Sequence, residues 1–300
     1  MKNIIIITGG AGFVGSNLIN FFLKKTKYKI ISIDNYSSGT KKNHLSNKNV
    51  VYINAHTKDI SKILNNLKKK ISAIFHFGEF ARIYQSFIQM DKCIQSNTIG
   101  TNAVFDFCLK NKIKLIYSAT SASLGNRGKD KNLSPYAFTK SKNLEFLENL
   151  KKWFNFKYEV IFFYNVYGPN QISKGSMATV IGIFEDCYLK KKPLPVVKPG
   201  TQSRRFTHID DTIQVCYDAW KKDRCKYYSI TNKKSYSIKK VASLFKTKIK
   251  FLPPRKGERY ASALSSMSLN NKVHKNYGKI DLKDYIEKFI KNHNKFKINL

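Results

Sequence analysis

A glycine-rich turn between a buried strand and a helix constrains what this chain can fold into more than any other feature. The apolar run Lys2–Thr8 predicts a strand that is covered on both faces, as in a parallel sheet. It leads directly into Thr8-Gly9-Gly10-Ala11-Gly12-Phe13-Val14-Gly15, and the apolar spacing over Phe13–Lys25 predicts a helix. Glycines in such a turn permit a tight bend and close approach of a pyrophosphate. The amides and the positive dipole at the start of the helix would then bind the phosphates.

Asp34 supplies an acidic partner for this turn. It ends the next predicted strand, Lys29–Asp34, about 20 residues after Gly15. A carboxylate there accepts a hydrogen bond from a ribose hydroxyl and repels a 2′-phosphate, so NAD is favoured over NADP. Two alternatives stay open: a glycine turn with a surface aspartate, and admission of NADP by a nearby basic residue such as Lys41.

Strand-like and helical patterns alternate through the first half of the chain. The further predicted strands are Val50–Asn54, Ala73–Phe77, Lys114–Ser118 and Tyr158–Tyr164, and the further predicted helices are Ile60–Lys70, Asp91–Lys110 and Pro135–Trp153. Repeated βα units predict an α/β fold with a Rossmann-like doubly wound parallel sheet. After Gly168, prolines and short mixed elements predict a smaller mixed α/β C-terminal substrate domain. We expect residues 1–167, joined by 200–222, to form the dinucleotide-binding domain, and 168–199 with 223–300 to form the smaller one.

The composition excludes some classes of protein and leaves one open. The net charge is +36, but 48 lysines against 7 arginines, spread along the whole chain, are typical of a biased, solvated surface. Binding of a polyanion remains the less favoured alternative. The five cysteines are scattered, and no apolar run approaches the ~20 residues of a membrane span. We therefore expect a reduced, cytoplasmic compartment, no membrane and no nucleic-acid partner.

Tyr136 and Lys140 form a candidate catalytic pair. They lie four residues apart at the start of a predicted helix, so their side chains share one face. A tyrosine with the ordinary pKa of ~10 is a poor base at neutral pH, but a neighbouring ammonium and a positively charged nicotinamide both lower that pKa. The pair is common by chance, and its position after the strand Lys114–Ser118 and a polar turn gives it weight. Thr120 in that turn would place a hydroxyl beside the tyrosine, unless it is a turn or capping hydroxyl.

Taken together, these motifs resemble the extended short-chain dehydrogenase/reductase family, in particular its NAD-dependent nucleotide-sugar epimerases and dehydratases. The resemblance covers nearly the whole chain. It includes Asp34-Asn35 with Ser37-Ser38-Gly39, Asp59-Ile60, Phe75-His76-Phe77-Gly78, Asn97 with Gly100-Thr101, Tyr164 to Pro169, Gln202-Ser203-Arg204 with His208 to Asp211, and Pro254 to Glu258. The resemblance rests on the order and spacing of these matches taken together.

The resemblance implies a role for each matching residue. Tyr136 would be the base, Lys140 would orient the nicotinamide ribose, and Thr120 would hydrogen-bond the reacting hydroxyl. The implied NAD contacts are Gly9, Gly12, Phe13, Val14, Gly15, Asp34, Asn35, Ser38, Gly39, Asp59, Ile60, Phe77, Gly78, Glu79, Asn97, Ser118, Tyr136, Lys140 and Tyr164. The implied substrate contacts are Arg82, Thr120, Asn165, Arg204, Arg255 and Glu258. Arginine donors suit a diphosphate, and surface salt bridges are their alternative.

The residues after Thr120 separate the reactions of this family. Dehydratases carry an Asp-Glu pair there, and decarboxylases usually carry a glutamate two places on, whereas this chain has Ser121-Ala122. The resemblance therefore implies C4 inversion of a UDP-hexose through a 4-keto intermediate, with NAD retained. Several features depart from the family pattern. They are Ser123-Leu124-Gly125 at the end of the turn, the short segment between Gly125 and Tyr136, and the residues Glu79, Arg82, Phe162 and Arg205.

The same residues also fit two other activities, and the resemblance implies a dimer. A reductase of a nucleotide-linked keto sugar would use the same residues and consume NADPH. A non-catalytic relative that binds RNA is less favoured, because the tyrosine, lysine and threonine are all present. By resemblance we expect a homodimer through Asp91–Lys110 and Pro135–Trp153. Phe105, Cys108, Leu144 and Leu147 would either form that interface or pack inward.

Overall fold

The computed structural model describes residues 2–121, 131–224, 226–255 and 273–298. Its strands, in chain order, are β1 Ile4–Thr8, β2 Lys29–Asp34, β3 Val50–Asn54, β4 Ile71–His76, β5 Lys114–Thr120, β6 Tyr158–Phe163, β7 Val166–Tyr167, β8 Leu194–Val197, β9 Ser203–Arg205, β10 Thr207–His208, β11 Tyr227–Thr231, β12 Ser235–Ser237, β13 Ile249–Leu252 and β14 Val273–Tyr277. Its helices are α1 Phe13–Lys25, α2 Ile60–Leu64, α3 Ile83–Ile88, α4 Met90–Ile94, α5 Thr101–Lys110, α6 Pro135–Phe154, α7 Val180–Leu189, α8 Ile209–Lys222, α9 Ile238–Leu244 and α10 Leu282–Ile298.

Eight parallel strands form one large sheet in the order β14-β11-β6-β5-β4-β1-β2-β3. β1 lies between β2 and β4, so the strand order reverses there. At such a reversal the carboxyl ends of the strands border a crevice in which ligands bind. The predicted α/β fold with a doubly wound parallel sheet is confirmed.

The isoleucines of β1 explain why this strand occupies the centre of the sheet. Ile4 and Ile6 pack into the core beneath α5 and α6, whereas Ile5 and Ile7 pack into the core beneath α1 and α8. Burial of each such side chain stabilises the fold by about 1.5–3 kcal/mol. Because both faces of β1 are covered, its carboxyl end is held rigidly, and the glycine-rich turn starts from that end.

A second hydrophobic core lies beside the large sheet. α7, α9 and α10 build it around Phe184, Phe245 and Ile286. Three two-stranded pairs accompany the sheet and this core: β7 with β10, β8 with β13 and β9 with β12. β11 and β14 instead extend the large sheet beyond β6, although the sequence-based division placed all of 223–300 in the smaller domain. Pairing with β11 satisfies the edge of β6, which would otherwise be left open.

Several elements differ in extent from their predictions. Of the predicted helix Ile60–Lys70, the first part is α-helical and residues 65–70 form a 3₁₀ stretch. The predicted helix Asp91–Lys110 is α4 and α5 with a π-helical stretch, Gln95–Gly100, between them. β5 continues beyond its predicted end, so Thr120 belongs to the strand. Two of these differences, the π-helical stretch and the longer strand, lie close to the candidate site.

The fold shows where several apolar and cysteine side chains lie. Phe105, Cys108 and Leu147 are fully buried beneath α5 and α6, and Leu144 packs against them, so these four point inward. The four described cysteines, Cys93, Cys108, Cys187 and Cys216, are free thiols. Within the described ranges, no helix is both long and apolar enough to cross a membrane.

Candidate active site

The glycine-rich turn between β1 and α1 has the shape of a pyrophosphate cradle. Gly9 has a φ of +72°, and a Cβ there would lie 2.9 Å from backbone atoms of Gly78. A Cβ at Gly15 would lie 2.2 Å from the carbonyl oxygen of Gly9, so helix and turn pack too closely for a side chain. A Cβ at Gly12 would meet that oxygen alone, at 3.2 Å, and Gly12 lines the cleft. A phosphate can therefore approach the turn at Gly12, as the NAD assignment requires.

Asp34 holds this turn in place from the end of β2. Its carboxylate accepts the backbone N–H of Ala11 at 2.9 Å and that of Tyr36 at 2.8 Å. Burial raises the pKa of Asp34, and the two backbone donors oppose that shift. The carboxylate lines the cleft and retains acceptor capacity for a ribose hydroxyl. Lys41 does not line the cleft, which favours NAD over NADP.

A cleft of about 1190 Å³ runs from the glycine-rich turn to the second core. Most of the predicted site residues line it. They are Gly9, Gly12, Phe13, Val14, Gly15, Asp34, Asn35, Ser38, Phe77, Gly78, Glu79, Arg82, Ser118, Thr120, Tyr136, Lys140, Asn165, Arg204 and Arg255. The fold thus brings the predicted cofactor, catalytic and substrate residues to one continuous surface.

Some predicted contacts are not part of the cleft wall. The described residues in this group are Gly39, Asp59, Ile60, Asn97 and Tyr164. Ile60 and Tyr164 are buried in the core beneath α5 and α6, and His56 and Thr57 line the cleft where Asp59-Ile60 was expected. The buried amide of Asn97 accepts from the N–H of Phe80 at 2.7 Å and shapes the backbone behind the wall. Glu258 and residues 122–130 lie outside the described residues.

Ser134 and Pro135 determine where α6 begins and so position the catalytic pair. The hydroxyl oxygen of Ser134 accepts the N–H of Ala137 at 3.1 Å, and Pro135 occupies the first helical position. Tyr136 and Lys140 follow one turn apart and are 9% and 3% exposed. Thr120 reaches the same cleft from the end of β5. The Thr120 hydroxyl, the Tyr136 phenol and the Lys140 ammonium group therefore belong to one cleft.

The ammonium group of Lys140 is buried between a carboxylate and a carbonyl group. It forms an ion pair with Glu79 Oε2 and donates to the carbonyl oxygen of Ser118. The two charged side chains are only 4% and 2% exposed. Burial lowers the pKa of Lys140, and the negative charge of Glu79 opposes that shift. The ring of Tyr117 adds a cation–π contact with Nζ 4.6 Å from its centroid.

The other carboxylate oxygen of Glu79 is saturated by neutral donors. Glu79 Oε1 accepts from Thr101 Oγ1 at 2.9 Å, from Tyr117 OH at 3.0 Å and from Asn143 Nδ2 at 3.3 Å. These donors come from α5, β5 and α6, so three elements converge on one side chain. The unusual charge at position 79 was visible in the sequence, but its partners were not. Its direct contact with the cofactor remains a prediction.

His76 connects this cluster to the glycine-rich turn. Since Thr101 Oγ1 donates its proton to Glu79, it accepts a hydrogen bond from His76 Nε2, at 2.9 Å. His76 Nδ1 in turn accepts the hydroxyl proton of Thr8 at 2.7 Å. Burial lowers the pKa of His76 to about 4, so the imidazole is neutral at physiological pH. Each donor in this series of hydrogen bonds therefore points from the glycine-rich turn towards Glu79.

Arg82 joins the two walls of the cleft. Its Nε and Nη2 donate to the carbonyl oxygen of Met177 at 3.0 and 2.5 Å, and Nη1 donates to the carbonyl oxygen of Ala81 at 2.8 Å. Burial lowers the pKa of Arg82, and its electrostatic interaction with Tyr136 opposes that shift. Arg82 is therefore a neighbour of the candidate base, and its contact with a substrate stays a prediction.

Polar donors from the later part of the chain complete the cleft. Asn165 Nδ2 donates to the carbonyl oxygen of Arg205 at 2.8 Å, and Arg204 Nη1 donates to that of Ser203 at 2.9 Å. The guanidinium of Arg255 lies 5.6 Å above the ring of Tyr84. Arginine side chains are well suited to bind a diphosphate, and both arginines line the same cleft as the glycine-rich turn.

Enzymes that bind a nicotinamide dinucleotide share this combination of sheet, turn and acidic residue, and the protein is of that class. A family model described as the NAD dependent epimerase/dehydratase family matches residues 5–231. The chain belongs to this NAD-dependent epimerase/dehydratase family, and NAD is its cofactor.

Similar proteins cover almost the whole chain. A putative UDP-glucose 4-epimerase of Methanocaldococcus jannaschii is 26% identical over 97% of this chain and 99% of its own. The crystal structure of a UDP-glucose 4-epimerase from Thermotoga maritima, with UDP-glucose, has a TM-score of 0.82 at 23% identity and covers 98% and 99% of the two chains. A UDP-glucuronic acid 4-epimerase from Bacillus cereus, with UDP-glucuronic acid and NAD, has the same TM-score, identity and coverage. At these identities the two structures establish a shared fold.

Proposed function

We propose that the protein is a 4-epimerase of a UDP-linked hexose. The observation that carries the proposal is the shared cleft, in which the phosphate-binding turn, the Tyr136–Lys140 pair and the arginine donors occur together. A sugar can react with a dinucleotide only where both reach the same catalytic groups. The names of the similar proteins support a UDP-sugar as the second ligand.

Tyr136 is the base in this proposal. Its phenolate oxygen takes the proton of the C4 hydroxyl and returns it after the sugar has turned, while Thr120 hydrogen-bonds the same oxygen. When bound, NAD supplies the acceptor and later the donor of the hydride at C4. The shielding of Tyr136, which is 9% exposed, keeps water from the reacting centre.

Lys140 has two tasks in the proposed reaction. Its ammonium has three N–H donors, and Glu79 and the Ser118 carbonyl take two of them at short range. The third reaches Ser118 Oγ at 3.4 Å, a weak contact that a ribose hydroxyl of the cofactor would replace. The positive charge, one helical turn from Tyr136, also favours the phenolate form of the tyrosine.

The glycine-rich turn and Asp34 would hold the dinucleotide. Gly12 leaves the turn open to a phosphate, and the first turn of α1 carries no acidic side chain to compete with it. Asn35 and Ser38, which line the cleft beside Asp34, would contact the adenosine half. A ligand held at so many points would remain bound through the cycle, which an epimerase requires because it has no net redox change.

The turn after Thr120 supports inversion over elimination of water. Ser121 follows it in the cleft and Ala122 comes next in the sequence, so neither position supplies the acid that elimination needs. The 4-keto sugar would then be reduced again instead of losing a hydroxyl group. Arg204, Arg255 and Asn165 would hold the diphosphate during this turn, with 168–199 and much of 223–300 as the sugar-nucleotide side.

A homodimer and a cytoplasmic location complete the proposal. Ile94, Ile99 and Phe138 are exposed on α4, the π-helical stretch and α6, which pack against one another. A second copy of the chain would cover this apolar surface. The cytoplasmic location rests on the scattered cysteine pattern in the sequence.

The reaction can be tested without added cofactor. Purified protein is incubated separately with UDP-glucose, UDP-N-acetylglucosamine and UDP-glucuronate, and the sugars are examined by NMR. Inversion at C4 of any one supports the proposal and identifies the substrate. Tyr136→Phe should lower kcat by at least about 10²-fold while keeping bound NAD, because the variant loses only the proton carrier.

Each alternative gives a different result in the same preparation. NAD-loaded, folded protein that converts none of the three sugars contradicts the UDP-hexose assignment. Stoichiometric consumption of NADPH with a keto sugar would identify a reductase. Binding of RNA at micromolar or lower Kd in physiological salt would identify the polyanion-binding alternative.

A further inference from the structure

The ion pair between Glu79 and Lys140 has an energetic consequence for the proposed catalytic lysine. An ammonium group that is 4% exposed has lost nearly all its hydration. Such burial alone favours the neutral amine, and fully buried lysines lose their charge several pH units below the ordinary value. A neutral Lys140 would neither favour the phenolate of Tyr136 nor offer three donors. Something in the fold must compensate for the lost water.

Glu79 is the group that supplies this compensation. Its carboxylate contacts Lys140 Nζ directly, and its own buried charge is satisfied by Thr101, Tyr117 and Asn143. All three partners of Glu79 Oε1 act as donors, so this oxygen is fully hydrogen-bonded while Oε2 contacts Lys140. The neutral His76 behind Thr101 adds no competing positive charge.

We propose that Glu79 is a positioning residue, the counter-ion that keeps Lys140 protonated and fixed beside Tyr136. The proposal rests on the proposed function for its catalytic meaning, since it assigns Glu79 an effect on the base through Lys140. The ion pair itself involves only Glu79 and Lys140 and does not depend on which sugar reacts.

Among the residues that the structure describes, few other groups can titrate near the pair. The titratable and charged neighbours are His76 at the end of β4, Arg82 before α3, Cys93 in α4, Tyr117 in β5 and Tyr136 in α6. Burial lowers the pKa of His76 to about 4 and raises that of Cys93 to about 11, and it raises the pKa of Tyr117 further. Arg82 stays charged. Tyr136 is the neighbour that the proposed function itself expects to change its charge near neutral pH, so the titration of Lys140 is also measured in the Tyr136→Phe background.

The titration of Lys140 tests the proposal directly and needs no substrate. The full chain is prepared with ¹³Cε-labelled lysine, and the Lys140 signal is identified by its absence in Lys140→Arg. In the wild type we expect Lys140 to stay protonated through neutral pH. In Glu79→Gln we expect its titration at least about two pH units lower, because Gln retains the shape and loses the charge. Glu79→Asp retains the charge and should titrate close to the wild type.

A matched control separates this effect from a general loss of stability. Glu159 forms another buried ion pair, with Lys114 at 3.2 Å, and does not line the cleft. Glu159→Gln should lower stability without moving the Lys140 titration. The pH profile of kcat/KM gives a second readout: Glu79→Gln should lose activity on the basic side at a pH where the wild type and Glu79→Asp remain active.

Three results would overturn the proposal. One is a wild-type Lys140 that loses its proton near pH 7. Another is a folded Glu79→Gln whose Lys140 titrates as in the wild type. The third is equal behaviour of Glu79→Asp and Glu79→Gln, which would assign the effect to geometry. If no sugar is converted but Lys140 titrates as expected, the proposed function fails and the counter-ion role stands.

Discussion

Gly12 and Gly15 lie in the same turn, but a methyl group would act differently at the two positions. In Gly15→Ala the Cβ would lie 2.2 Å from the carbonyl oxygen of Gly9 and 2.7 Å from Gly10 Cα, so backbone must move. We expect the free energy of unfolding to fall by about 1–3 kcal/mol. In Gly12→Ala the nearest atom would be at 3.2 Å, so stability should change by less than about 1 kcal/mol while the methyl group blocks the phosphate.

The two measurements are urea unfolding of NAD-free protein and the NAD content of the purified protein. Gly12→Ala should lose bound NAD at nearly wild-type stability, whereas Gly15→Ala should lose both. Wild-type NAD content in Gly12→Ala would contradict the assigned phosphate position.

Buried His76 makes the stability of the fold depend on pH. Its pKa is lowered from 6.5 to about 4 in the folded chain, so below pH 6.5 the unfolded chain binds a proton that the folded chain does not. Stability should therefore fall as the pH drops from about 6.5 to 4, by about 3 kcal/mol in total from this residue. Urea unfolding at pH 7, 6, 5 and 4 measures the loss. The slope should be smaller in His76→Gln and unchanged in the exposed His274→Gln; equal slopes in all three proteins would exclude His76 as the cause.

At the level of secondary structure, the start of α6 determines the geometry of the catalytic pair. Removing the cap in Ser134→Ala should lower the free energy of unfolding by about 1 kcal/mol, because the N–H of Ala137 loses its acceptor. Tyr136 follows two residues later, so kcat should fall as well. Ser237→Ala is the matched control, since Ser237 caps α9 by accepting from Lys240 at 3.1 Å and does not line the cleft. A similar loss of stability with full activity in Ser134→Ala would show that the cap does not position Tyr136.

Elements with a strong local signal were predictable from the sequence. The predicted bounds of α1, β2 and β3 agree with the structure, since each has a clear apolar period and a polar or glycine boundary. The π-helical stretch Gln95–Gly100 was not predictable, because an α-helix and a π-helix of six residues have nearly the same apolar pattern. β11 and β14 were not assigned to the large sheet, because partner choice depends on which strand edge is left open.

At the level of the whole molecule, the glycine-rich turn was easier to predict from the sequence than a cluster of residues that are distant in sequence. The turn lines the cleft, and its shape depends on backbone that is local in sequence. Glu79 meets Tyr117 and Asn143 from 38 and 64 residues away, after the sheet has aligned three elements. No sequence pattern close to any of these residues predicts these contacts. A buried network of this kind is therefore seen only in the three-dimensional structure.

The net charge of +36 on each chain bears on the proposed dimer. Two such chains repel each other, and the repulsion is screened as the Debye length falls from about 10 Å at 0.1 M salt to about 3 Å at 1 M. An apolar interface over Ile94, Ile99 and Phe138 should therefore associate more tightly at high salt, the opposite of an interface made by ion pairs. Sedimentation velocity at 0.1, 0.3 and 1 M NaCl measures this trend.

A substitution identifies the surface involved. Ile99→Glu should give monomers at every salt concentration, because it places a charge in the apolar face. Leu189→Glu changes an equally exposed leucine at the end of α7 and should leave the dimer intact, since it lies on another element. A wild-type monomer at 1 M salt would exclude the dimer. A dimer in Ile99→Glu would place the interface elsewhere, and weaker association at high salt would indicate that ion pairs, not apolar burial, hold the chains together.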